Sequence, residues 1–134
     1  LHGGSIVISD SEIETAKRRT EYRLESRLHP HNDCIRIAYE WLDAQKKIKS
    51  PTKKQFALKH LIEKCAGRYV SSSDVCIAAE LHTEIFGRYP FFNISSRLVE
   101  PSLERLNGIE EAMKHMNYRE THDTSNYSVA EYLS

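Results

Sequence analysis

The chain reads as a mostly α-helical, multi-helix domain, all-α in the strictest form of that reading. Three observations carry the expectation. Glycine and proline are scarce, 5 and 4 of 134 residues, which disfavours a β-sandwich with its frequent tight turns. Apolar residues recur three and four positions apart in several segments, the period of one helix face. Capping residues stand where those segments begin and end. The length fits one domain with a core of its own.

A first helix is expected from about Ser11 to Leu28. Ser9, Asp10 and Ser11 offer N-caps, and Glu12 and Glu14 suit the positive end of the helix dipole. Ile13, Thr20, Leu24 and Leu28 form only a narrow stripe on an otherwise charged surface. Such a helix touches the body lightly or pairs with a second copy, so a homodimer through it is one expectation. Pro30 ends it. A second helix, Asp33 to Ile48 with Asn32 as cap, carries Cys34, Ile35, Ile37, Ala38, Tyr39, Trp41 and Leu42 around most of its girth. That pattern makes it the hub of the core.

Ser50-Pro51 is a strong helix start, and the third helix takes Phe56, Ala57, Leu61, Ile62 and Cys65 at helical spacing. Gly67 is placed to close it. A fourth begins after Ser71 or Ser72, carries Val75, Ala78, Ala79 and Leu81, and stops near His82. A linker with Gly87 and Pro90 follows. Asn93 is then expected to cap a fifth helix, Ile94 to about Val99, with Pro101 kinking it or opening another toward Gly108. Ile109 to Met116 reads as further helix. The domain therefore spans 11–117. Residues 1–10 are expected as a flexible lead or expression-derived residues, and 118–134 as a polar tail or a hairpin, the tail preferred.

Net charge is zero, but unevenly spread. Residues 17–64 hold 13 Lys and Arg against 6 Asp and Glu, while 1–16 carry −3 and 65–134 carry −4. A basic stretch inside a neutral chain fits either a polyanionic partner or a salt-bridged surface. Its densest part is Lys46, Lys47, Lys49, Lys53 and Lys54. Lying between two expected helices, these ammonium groups would sit near a helix N-terminus, where anions are attracted.

Three widely spaced cysteines, Cys34, Cys65 and Cys76, read as reduced, buried thiols of a cytoplasmic protein. No segment approaches the roughly 20 apolar residues of a membrane helix, so no membrane association is expected. His29, His31 and Cys34 lie close together, but no second ligand pair follows at zinc spacing, and no metal or other cofactor is expected. The chain has no G-x-S-x-G, no phosphate-cradling glycine loop and no H-E-x-x-H. No catalytic residues are assigned, and an enzyme is not expected.

The run Asn93-Ile94-Ser95-Ser96-Arg97-Leu98, followed by Leu103-Glu104-Arg105-Leu106-Asn107-Gly108-Ile109, resembles the recognition helix and exit turn of winged helix-turn-helix proteins. The resemblance is at fold level and covers residues 53–109. It implies a helix-turn-helix-like core, with the C-terminal hairpin, if formed, as the wing. It also implies that Asn93, Ser95, Ser96 and Arg97 face the major groove. The alternative for the same residues is a cap on a helix whose Ile94 and Leu98 fill the core.

Two functions are thus expected. The first is a DNA-binding regulator of transcription, its lysine patch and Arg88 holding phosphates. The second is a protein-interaction module, an adaptor, inhibitor or immunity-type protein. It would bind through the charged first helix and the aromatic run Arg88-Tyr89-Pro90-Phe91-Phe92. Two adjacent phenylalanines in a linker favour burial of that run.

Overall fold

A computed structural model describes residues 8–20, 22 and 31–131. It is helix-rich, with four α-helices in the first two thirds and two small two-stranded sheets. Helix α1 (Asp10–Thr20) opens on a reciprocal cap. The Ser9 hydroxyl accepts the Glu12 N–H at 3.1 Å, and the Glu12 carboxylate accepts the Ser9 N–H at 3.0 Å. Its apolar face, Ile13 and Ala16, is fully buried against α2 and α4 of the same chain. Of the stripe that pointed to a second copy, Ile13 is thus covered from within and Thr20 is exposed, while Leu24 and Leu28 lie outside the described residues. The expected continuation to Leu28, with Pro30 and His29, lies outside the described residues, apart from Tyr22, which is not helical.

Helix α2 (Asn32–Ala44) is the hub, as its apolar girth predicted: Ile35, Ile37, Ala38, Trp41 and Leu42 are all buried. His31, not Asn32, caps it, its Nδ1 accepting the Asp33 N–H at 2.9 Å. The helix stops at Ala44 rather than Ile48, because Lys46–Ile48 pair with another strand of chain instead. Helix α3 (Leu58–Ala66) starts well after Ser50-Pro51. The bonds that would have made a first turn there are replaced by a link from the Thr52 N–H to the Phe92 carbonyl. Gly67 does close α3, at φ 65°. A Cβ there would lie 3.0–3.1 Å from Arg119 and Met113, so both conformation and space demand glycine. Helix α4 (Ser72–Leu81) carries a full capping box, Ser71 with Asp74, and buries Val75, Ile77, Ala78 and Ala79.

The second half departs from expectation. No helix forms at Ile94–Val99. The chain there is extended and bent, and Val99–Glu100 is a strand. The hairpin β1 (Gly87–Arg88) with β2 (Phe91–Phe92) precedes it, and β3 is Val99–Glu100. Residues 103–106 and 116–121 are short 3-10 helices, and 110–113 are turns, with Met113 at positive φ. Gln45 explains part of this. Its side chain donates to the Val99 carbonyl at 2.8 Å and accepts the Val99 N–H at 2.9 Å, fixing that backbone as a strand would. Without a helix at 93–98, the recognition helix that the resemblance placed there does not form. The described part of the C-terminal segment, 118–131, is neither frayed tail nor hairpin. Strand β4 (Val129–Ala130) lies parallel to β3, and the Tyr127 hydroxyl accepts the Trp41 indole N–H at 3.1 Å. No helix among the described residues is long and apolar enough to cross a membrane.

Candidate nucleic-acid interface

Three runs of backbone lie side by side and create the surface of interest. The central run is Phe91–Ser95. On one edge it meets the lysine loop: Ile48 N–H to Asn93 carbonyl at 2.9 Å, Ser95 N–H to Lys46 carbonyl at 2.8 Å, and Thr52 N–H to Phe92 carbonyl at 3.0 Å. On the other edge it meets β1, with Asn93 N–H to Phe86 carbonyl at 3.0 Å. Asn93 fastens the three together. Its Oδ1 accepts the Phe86 N–H at 2.7 Å, and its Nδ2 donates to the carbonyls of Ile48 and Glu84 at 3.2 and 2.9 Å.

Asn93 is only 2% exposed, so it reads no base edge. Its amide is spent on backbone groups that burial would otherwise orphan. The same burial keeps the Asn93-Ile94-Ser95 glycosylation pattern out of reach in the folded chain. Ser95 is half-buried, and its hydroxyl accepts the Arg97 N–H at 3.1 Å. Ser96 and Arg97 are exposed. The resemblance placed four residues in a groove from a helix; two of them are at the surface, on a loop.

The cations fare differently. Lys46, Lys49, Lys53, Lys54, Arg88 and Arg97 are all exposed, and none is in a salt bridge among the described residues. Lys54 Nζ sits 5.4 Å above the Phe56 ring. Lys47 turns inward instead: half-buried, it donates to the Asp43 carbonyl at 2.6 Å. The sequence held a signal that charge totals blur. No Asp or Glu occurs between Asp43 and Glu63, nor between Glu84 and Glu100. The fold pairs these two carboxylate-free stretches with each other, so the exposed cations meet no acid of their own loops.

The aromatic run divides. Phe92 is buried and meets Tyr89 edge-on at 6.2 Å, while Tyr89 itself is half-buried. Phe91 stands 36% exposed, and Phe86, just before β1, 49%. Arg88 is paired with Phe91 across the ladder, so both leave the hairpin on one face, and Phe92 with Gly87 takes the other. The expectation that the run is buried holds for Phe92 and fails for Phe91.

A second charged cluster lies at the base of α2. Arg105, buried, donates to Glu40 at 2.9 Å, to Asp43 at 2.8 Å and to both oxygens of Glu131 at 2.6 Å. The His82 hydrogen bond, then Arg105, hold the Asp43 carboxyl well below the usual carboxylate range. Burial pushes the Glu131 carboxyl up, but Arg105 and the Ser102 N–H outweigh it and leave it lowered. Asp43, His82 and Glu84 bring three ligand-type atoms within 4.8 Å of one another. His82 Nδ1 accepts the Glu84 N–H at 3.0 Å, so the ring proton sits on Nε2 and points at Asp43, 2.8 Å away. A metal would need that lone pair; the trio is a hydrogen-bonded fastening. Of the thiols, burial pushes Cys65 up to about 12 and also raises Cys34. Cys76 is exposed on α4, against the expectation for all three.

Fold and surface together define a helix-rich protein in which the lysine loop lies beside a segment carrying further exposed cations. No protein-family model, curated protein or solved structure matches the chain.

Proposed function

We propose that this chain is a nucleic-acid-binding protein that grips phosphates with Lys46, Lys49, Lys53, Lys54, Arg88 and Arg97. One observation supports the reading: backbone hydrogen bonds set two carboxylate-free stretches side by side, and six exposed cations lie within them. In a chain of zero net charge that concentration is a local field, and a polyanion is its complement. Binding of this kind is led by phosphate contact and counterion release, with little direct reading of sequence. A regulator that acts by occupying nucleic acid is the role that fits, and transcription is one setting for it.

The test is fluorescence anisotropy of a labelled random-sequence duplex at 50 and 200 mM salt. Binding should weaken as salt rises, by about 0.9 log units of affinity per log unit of salt for each phosphate neutralised. Lys53→Glu with Lys54→Glu should abolish or strongly weaken it and flatten the slope. No binding at low salt ends the reading.

A groove of about 750 Å³ between α4 and the hairpin favours a second reading, a protein partner. Ala79, Ile85, Phe86, Arg88 and Tyr89 are among its lining residues. A pull-down lost with Tyr89→Ala and Phe91→Ala, but kept with the lysine variants, would favour it over the first.

A further inference from the structure

The cationic face is also an aromatic one, and the combination discriminates between kinds of nucleic acid. We infer that its preferred ligand is single-stranded, with bases stacked on Phe91 and Phe86 while the surrounding cations hold the backbone. The inference rests on the nucleic-acid reading above and narrows it.

Geometry supplies the argument. Phe91 leaves the hairpin on the same face as Arg88. The residue after it, Phe92, is tied to Thr52, which immediately precedes Lys53 and Lys54. Phe86 is tied through Asn93 to Ile48, which immediately precedes Lys49. Phe91 thus pairs with one cation, Arg88, and its neighbour Phe92 leads to Lys53 and Lys54, while Phe86 is linked to the Lys49 end of the loop through the Asn93 side chain. Two large rings, 36% and 49% exposed, would be poorly used against a duplex, whose bases already stack on each other. An unpaired base offers a free π-face, and stacking on an aromatic side chain is tolerant of sequence. The surface also lacks what duplex reading needs. The backbone between Phe86 and Arg97 is hairpin and loop, with no helix to enter a major groove. Carboxylates, which would repel a phosphate backbone, are missing from both stretches that build the face.

The experiment compares a fluorescein-labelled dT 20-mer with a 20-base-pair duplex at 50 mM salt, on wild type and three variants. Wild type should bind the single strand at least fivefold more tightly. Phe86→Ala with Phe91→Ala should weaken the dT 20-mer about tenfold or more and leave the duplex nearly unchanged. Lys53→Glu with Lys54→Glu should weaken both. Phe91→Trp should keep the affinity, and its added indole fluorescence should be quenched as the oligonucleotide is titrated. Both phenylalanines are exposed, so unchanged circular dichroism melting should accompany every variant. Equal affinity for the two oligonucleotides, or a double-Phe variant that binds like wild type, overturns the inference while lysine-dependent binding keeps the broader reading. Failure of both oligonucleotides to bind overturns the two together.

Discussion

Two charged regions of this molecule use the same side-chain types to opposite ends. Around Arg105, one guanidinium meets Glu40, Asp43 and Glu131, and Asp43 also receives His82. The Arg105 side chain is only 7% exposed. On the Lys46–Arg97 face, six cations stand in solvent with no carboxylate in their own loops. The first region has removed its charges from water and must satisfy each one from within. The second leaves its charges hydrated and unclaimed, so a ligand can take them. Charge count says nothing about which is which; burial and partners do.

The comparison can be broken at its strongest point first. Arg105→Met should destabilise the fold by about 3–5 kcal/mol, because three carboxylates lose their common partner in a buried setting. In thermal melting that is a drop of roughly 10 °C or more. A variant melting within 2–3 °C of wild type, by the same roughly calibrated scale, would mean that the cluster is far more hydrated than its burial indicates.

Asn93→Ala comes next. It leaves the Phe86 N–H and the carbonyls of Ile48 and Glu84 without their shared partner, and should cost about 1–3 kcal/mol in urea unfolding. A base-reading asparagine at the surface would instead leave stability alone.

Acid should separate the two regions again. Asp43 and Glu131 have lowered folded values. Their stabilisation is therefore present above the unfolded carboxylate range, about pH 4, and is lost as pH falls through and below it. The urea midpoint should hold from neutrality down to about pH 5 and decline below about pH 4. Arg105→Met should remove the Glu131 part of that decline and a share of the Asp43 part, whose larger cause is His82. A midpoint unchanged at pH 3, or an equal decline in the variant, would place the acid-sensitive groups elsewhere.

The smallest stability effect belongs to the cationic face. Lys46, Lys49, Lys53 and Lys54 changed together to Glu should shift stability by only about 0.5 kcal/mol per site or less, as exposed surface changes do. Oligonucleotide binding should nevertheless vanish. Large destabilisation would show that these lysines serve the fold.

The first half of the chain was legible where its signals are local, though α2 stops at Ala44 and α3 starts only at Leu58. Ser9 with Glu12, Ser71 with Asp74, and Gly67 act within a few residues of themselves, and the structure has all three as caps. The apolar girth of α2 likewise predicted its central place. The second half was misread for the opposite reason. Ile94 and Leu98 are buried at a helical interval, so the period alone suited a helix. The backbone flanking them, at Asn93, Ser95 and Val99, is claimed by Ile48, Lys46 and Gln45, some fifty positions away, and no local pattern announces such partners. The lysine cluster was found from sequence, while Phe86 was missed: it stands two residues before a run whose expected burial was judged as a block. The carboxylate-free windows were readable all along.

What the amino-acid order settled alone was helix-rich architecture, the caps at Ser9, Ser71 and Gly67, the central role of α2 and a basic stretch in a neutral chain. Each depends on residues close in sequence or on composition. What folding decided was that Asn93 is a fastening and Arg97 a surface charge, that residues 118–131 dock on the core, and that the lysine loop is tied to the Phe92–Ser95 backbone. Those outcomes turn on hydrogen bonds and burial between distant segments, and such contacts exist only once the chain has closed on itself.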